Sequence, residues 1–223
     1  MACIESYVQP RRLYRYRSLA IPERELDAIK KGYLYCSAYL NLNDPMEGLF
    51  TSSRLFRKSQ KYRTLRNAIR DNKARIGVCS FSEVHDHELM WAHYAEQFTG
   101  ICVAYSLSRL LKNLREEISF VRMHYNETVP TLHQTSKDPN ELAKMVLSYK
   151  NYRWLYEREW RMLAGQGKAY YKDIECVTQV YLGSRISDKH KDQVTRALTA
   201  LDIPIREMTI DKYFINFEER ESD

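Results

Sequence analysis

A chain of 223 residues, 44% of them hydrophobic, is long enough to bury its own core, and it reads as one domain over 11–210 with an acidic, flexible tail over 211–223. It has no run of eighteen apolar residues and no charged-then-apolar leader at Met1, and its five cysteines show no CxxC spacing; a membrane span and a disulfide scaffold are excluded, and a cytoplasmic protein with reduced thiols is expected. The net charge of +6 is unevenly placed, with nine Lys or Arg and one acid, Asp71, between Arg54 and Arg75.

The chain opens on RRLYRYRSL (11–19), which alternates like a strand. A short helix follows, opened by Pro22, carrying Leu26 and Ile29, and ended by Gly32. YLYCSAYL (33–40) is aromatic and strand-like. NLNDPMEG (41–48) is a turn whose Pro45 forbids a continuing central strand, with Asn43 and Asp44 bonding their own backbone. Glu47 at its end would point into a cleft or pair with an arginine. Over 54–75, Leu55, Tyr62, Leu65 and Ile69 fall close to helical spacing, which predicts an amphipathic helix with a cationic outer face. Arg57, Lys58, Lys61, Arg66 and Arg70 on that face would attract the phosphates of a nucleic acid; the plainer reading is a solvated basic helix.

IGVCSFS (76–82) reads as a buried strand, HELMWAHYAEQF (87–98) as a helix and GICVAYS (100–106) as a strand. A helix over 107–118 and a strand over 119–125 follow. DPNELAKMVLSYKNYRWLY (138–156) begins as a helix, with Asp138 at the N-cap and Pro139 in the first turn. YEREWRML then alternates, placing Glu157, Glu159 and Arg161 on one face of a strand and Tyr156, Arg158, Trp160 and Met162 on the other. A strand over 177–183, a helix over 189–202 and a last strand over 205–210 complete the chain. Strands and helices mix without a βαβ rhythm, so the expected class is α+β, with a mainly antiparallel sheet and flanking helices.

Several chemistries drop out. There is no GxGxxG, no GxxxxGK[ST] and no GxSxG, and seven glycines supply no backbone cradle for phosphates. His85, His87 and His93 near Cys79 match no common zinc spacing, so no metal is expected. Cys79 in its apolar run is a small core residue. Met90, Trp91 and Tyr94 of MWAHYA read first as helix-packing residues, with His93 hydrogen-bonded behind them.

Taken in order, LYRYRSL, NDPMEG, VCSFSE, MWAHYA, YEREWRML and VYLG are similar to a widespread bacterial family known only as a domain of unknown function, over about residues 13–183. A second resemblance carries chemistry. LYRYRSL followed by LDAIKKGYLYCS is similar to the opening of ADP-ribosyltransferase-like domains, and Glu157-Arg158-Glu159 is similar to their ExE pair. That resemblance implies an NAD-dependent transferase or glycohydrolase, a toxin or phage-defence effector. It would use Glu159 as the carboxylate that stabilises an oxocarbenium-like state and Glu157 to orient the acceptor. Arg15 and Arg161 would hold the cofactor's phosphates or ribose; Tyr16, Tyr35, Trp91 and Tyr94 would line or stack on its rings, beside Ser37 and His93.

Two other readings stand beside this one: a protein that binds or cleaves nucleic acid through the basic helix, and a non-catalytic interaction module. The structural alternative for the glutamate strand is an ion-pair ladder with Arg15 and Arg17, and burial decides between ladder and site.

Overall fold

The computed structural model describes residues 9–115, 117–133 and 138–219. Along the chain, β1 (Arg12–Arg17) leads into α1 (Pro22–Lys30), β2 (Tyr33–Ala38), β3 (Thr51–Ser52), α2 (Arg54–Arg57), α3 (Gln60–Lys73) and β4 (Ile76–Ser82). Next come α4 (Glu88–Tyr94), β5 (Ile101–Ser106), α5 (Leu107–Asn113), β6 (Ser119–Arg122), β7 (His124–Asn126), β8 (Thr131–Leu132) and α6 (Pro139–Val146). The last elements are β9 (Tyr149–Asn151), β10 (Glu159–Gly165), β11 (Gly167–Tyr170), β12 (Val177–Leu182), α7 (Asp188–Thr199), β13 (Ile205–Asp211) and β14 (Phe214–Glu219). The class is α+β with mainly antiparallel strand pairing, as expected. No helix among the described residues is long and apolar enough to cross a membrane.

The chain divides into two compact units. The first is built from the described parts of residues 1–32, 82–114 and 171–223; the second comprises the described parts of 33–81 and 115–170.

In the first unit the strands run β1-β5-β12-β13-β14, antiparallel except for β12 beside β13. β5 reads ICVAYS with no charged residue because it is buried on both faces, between β1 and β12. Pro22 sits in the first turn of α1 and Gly32, at φ 63°, ends it, as its sequence predicts. Two glycines are dictated by close packing. A Cβ on Gly183 would lie 2.1 Å from the Phe98 carbonyl oxygen, and one on Gly100 would lie 2.2 Å from that of Arg17. Within the segment expected as a tail, Phe214–Glu219 pair along β13, with Met208 opposite Phe217 and Ile210 opposite Ile215. Residues 220–223 lie outside the described residues.

The second unit pairs β11-β2-β4, with β10 joining β4 to β6, and adds the short parallel pairs β3-β8 and β7-β9. Its core is Ile69 of α3, Ile76 and Val78 of β4, Leu142, Ala143 and Val146 of α6, and Leu163 of β10. Here the single basic helix expected over 54–75 is two. Ser59 breaks it, its hydroxyl accepting the Tyr62 N–H at 3.1 Å as the N-cap of α3, while Ser53 caps α2. Leu55 therefore leaves the apolar stripe and is exposed, and Phe56 packs edge-on against Tyr62 at 5.5 Å. The segment 138–156 begins with a helix as expected, with Asp138 at the N-cap; the helix ends at Val146 and gives way to β9 and a 3₁₀ turn over 152–157.

Candidate functional site

The glutamate-rich run is not one continuous strand. Glu157 closes the 3₁₀ turn, Arg158 takes a left-handed conformation at φ 45°, and β10 begins only at Glu159. Even so, Glu157, Glu159 and Arg161 meet, and all three are buried. Two residues from elsewhere in the second unit complete the cluster: Glu47, from the NDPMEG turn, and Lys150, from β9.

Arg161 is the hub. Its Nε donates to Glu159 Oε1 at 2.7 Å and its Nη2 to Glu159 Oε2 at 3.2 Å. Glu47 is held by the same fork, Nη1 to Oε2 at 2.9 Å and Nη2 to Oε1 at 2.6 Å, and Nη1 also reaches the Leu147 carbonyl at 2.8 Å. This planar, five-donor geometry is what arginine supplies and lysine does not. Lys150 Nζ is the second bridge. It donates to Glu157 Oε2 and, at 3.0 Å, to Glu159 Oε2, lies 3.7 Å from Glu47 Oε1, and sits 5.0 Å from the Trp154 ring centre. Ser80 also bonds Glu159, and the Glu159 backbone N–H donates to Tyr125 Oη at 2.7 Å.

Three carboxylates thus face two cations in a water-poor setting. Burial alone pushes Glu159 up, but Arg161 and Lys150 outweigh it and hold the carboxyl down at about 2. For Lys150 the signs reverse: burial pulls its ammonium down, and Glu159 and Glu157 more than restore it, so it stays charged. Burial raises the Tyr125 phenol. Arg17, expected on an ion-pair ladder, grips Glu25 bidentately, at 2.7 Å to each oxygen.

Lys150 also lines a small cavity of about 70 Å³, walled by Met46, Leu49, Thr128, Val129 and Tyr149. Of the network's residues Lys150 lines this cavity. Met46, Leu49 and Val129 are exposed at its mouth.

The other expected site residues are placed as follows. Arg161 does not present its guanidinium to a cofactor, because all of its nitrogens are engaged inside the protein. Trp91 is 0% exposed and its Nε1 donates to the His85 carbonyl at 2.7 Å, so its ring has no face for stacking on a ligand. Tyr16 is likewise buried, edge-on to Trp91 at 5.3 Å and donating to the Val84 carbonyl at 3.0 Å. Both are packing residues of the first unit. Arg15 belongs to that unit too, opposite Val103 on β5, with its charge acting on Glu25 and Tyr171. His93 is exposed on α4 rather than packed behind its neighbours, and Tyr94 is half-buried beside it. Tyr35 is exposed on β2 opposite Lys168, and Ser37 is half-buried opposite Val78.

His85 stacks between Tyr14 and Phe217, and His87 caps α4, its Nδ1 accepting the Leu89 N–H. No group of three or more His, Cys, Asp or Glu among the described residues is arranged to hold a metal.

Sequence reasoning named Glu47 among several possibilities and missed Lys150. The signal for Lys150 was its position in SYKNY, immediately ahead of the aromatic turn that carries Glu157.

Residues 90–162, from the MWAHYA helix through the first half of β10, match the family described as "Protein of unknown function (DUF2971)". This agrees with the family resemblance read from MWAHYA and YEREWRML. No curated protein and no solved structure matches the chain.

Proposed function

We propose that this chain is an enzyme of the ADP-ribosyltransferase-like kind, which breaks the nicotinamide–ribose bond of NAD and passes the ADP-ribosyl group to an acceptor or to water. The observation that carries the reading is the buried network of Glu47, Glu157, Glu159, Lys150 and Arg161, with its excess of acid. Burying ions has an effective penalty of several kcal/mol each, and apolar side chains of the same volume would often hold a fold at least as well. A five-member ionic cluster is therefore better accounted for by a function than by stability.

The chemistry suits that charge balance. When the C1′–N bond breaks, its electron pair leaves with the nicotinamide nitrogen and the ribose becomes oxocarbenium-like. A fixed negative field, already desolvated, favours this state over the ground state. The acceptor oxygen or nitrogen then bonds C1′ and gives up its proton.

The roles differ from those the ExE resemblance implied. Glu159 has both oxygens committed to Arg161, Lys150 and Ser80, so it acts as a positioning residue. Glu157, tied to Lys150 at the end of the aromatic turn, is the carboxylate assigned to the substrate side. The cavity at Lys150, about 70 Å³, is room for roughly two waters at ~30 Å³ each. It fits the end group of a ligand, and the remainder of a dinucleotide would lie outside it, over the exposed Met46, Leu49 and Val129.

The test is to incubate the purified chain with NAD and quantify nicotinamide by chromatography. Release above a heat-denatured control, abolished by Glu157→Gln in a variant that is still folded at the assay temperature, is the expected result. No release, together with no shift of the midpoint by millimolar NAD, overturns the proposal.

A further inference from the structure

The basic segment takes no part in the buried network, and its geometry points to a second site. We infer that the outer face of α2 and α3 binds the phosphate backbone of a nucleic acid. Arg57, Lys58, Lys61, Arg63, Arg66 and Arg70 are all exposed. Among the described residues only Arg70 of these six has an acidic partner, Asp71 at 3.3 Å, and that pair is itself exposed. Exposed pairs of this kind are worth little and yield readily to a competing phosphate.

The cations are not spread evenly round the helix. Tyr62, Ile69 and Lys73 mark the buried side of α3. Arg63, Arg66 and Arg70 follow at i, i+3 and i+7 and form one stripe along its flank, about 10 Å long at ~1.5 Å per residue. The face beside that stripe carries Gln60, Thr64 and Asn67, all exposed and uncharged. Such side chains donate hydrogen bonds to phosphate and sugar oxygens.

This composition selects the partner. A helix that lies on an anionic bilayer places large apolar side chains beside its cations. On α3 the large apolar residues Tyr62, Leu65 and Ile69 turn inward, and none of them is exposed. Lys73 is buried: its Nζ donates to the Gly48 carbonyl at 2.7 Å and lies 4.8 Å from the Tyr39 ring centre. What faces solvent on α3 is arginine interleaved with amide and hydroxyl, a surface for a nucleic-acid backbone; on α2 the exposed Leu55 stands as a single large apolar side chain.

The experiment is fluorescence anisotropy on the full chain with a 20-nucleotide single-stranded RNA and a 20-base-pair DNA duplex at 50 and 200 mM salt. Binding to either is expected to weaken with salt, three stripe contacts alone giving a loss of roughly 20- to 40-fold over that range. The variant Arg63→Glu/Arg66→Glu/Arg70→Glu changes only exposed positions. It is expected to keep the wild-type unfolding midpoint, to bind at least tenfold more weakly at 50 mM salt, and to have a salt slope shallower by about 2–3. The inference is overturned by absence of binding to both probes, by affinity that is flat in salt, or by a variant that binds as the wild type does. Binding to vesicles rich in anionic lipid without binding to either nucleic acid likewise overturns it.

Discussion

Replacing Arg161 tests the physics of the network most directly. Arg161→Met keeps most of the side-chain volume but removes five donated hydrogen bonds, four to carboxylates and one to the Leu147 carbonyl. It leaves Glu47, Glu157 and Glu159 facing Lys150 alone. Breaking a buried ion pair by removing one partner costs about 3–5 kcal/mol, because the surviving charge stays desolvated. The expected loss at pH 8 lies in that range, read from urea unfolding followed by circular dichroism.

The pH dependence supplies the sharper check. In the wild type Glu159 is held at about 2, below its ordinary 4.5, so its contribution is fully present above pH 4.5 and is lost only as pH falls toward 2. Between pH 5 and 8 that contribution is constant. In the variant the carboxyl of Glu159 is buried without its main cation, so the burial that Arg161 had outweighed pushes it up. A raised acid is penalised at high pH and relieved as pH falls through its folded value, at about 1.4 kcal/mol per unit of rise. The gap between wild type and variant should therefore narrow by at least about 1 kcal/mol from pH 8 to pH 5. A cost below 1 kcal/mol at pH 8, or a gap unchanged between the two pH values, would refute the account of an electrostatically driven cluster.

Three further outcomes follow from single contacts. Gly183→Ala would drive a Cβ to within 2.1 Å of the Phe98 carbonyl oxygen, against backbone that has no rotamer to yield, and should lower the thermal midpoint by several degrees. Glu25→Gln removes the acid gripped by Arg17; burial pushes that carboxyl up, but Arg17 and Arg24 bring it below its ordinary value, so the variant should lose roughly 1–3 kcal/mol at pH 7 and converge on the wild type as pH falls below 4.5. Tyr125→Phe strips the acceptor from the Glu159 N–H at the start of β10. It should cost about 1–3 kcal/mol and lower any nicotinamide-releasing activity through kcat rather than KM, whereas loss in KM alone would argue against a positioning role.

The parts of the fold legible in the sequence were those fixed by local pattern. β4 was read to the residue, because IGVCSFS is a short, mostly apolar run with no charged residue. α1 was bounded by the proline and glycine that bound it in the structure. The errors cluster where long-range packing overrides a local period. Alternation through YEREWRML predicted one strand, yet Arg158 adopts a left-handed conformation that no periodicity signals and the strand starts at Glu159. The two glutamates nevertheless share a partner, because Lys150 reaches both. Trp91 shows the converse. The helical pattern of MWAHYA reads it first as a packing residue and the resemblance reads it as a ring-stacking one, and its burial decides for packing.

The NDPxE and ExExR motifs, more than a hundred residues apart, are explained together by one piece of backbone. Asp44 Oδ1 accepts the Met46 N–H at 2.9 Å and its carbonyl accepts the Glu47 N–H at 3.1 Å, which closes the turn. Gly48, at φ 70°, lets the chain leave in a direction that a side chain would oppose, since a Cβ there would meet Lys73 Nζ at 3.1 Å and Leu147 at 3.3 Å. Lys73 in turn holds the Gly48 carbonyl from α3. With the turn pinned on both sides, Glu47 arrives with two oxygens matched to the Arg161 fork, while Leu147 offers its carbonyl to the same nitrogen. A fork that is planar and five-donor accepts only partners delivered at that angle. The turn residues and the strand arginine are therefore one unit of recognition, and a change to Asp44 or Gly48 should disturb Arg161 as surely as a change to Glu47 itself.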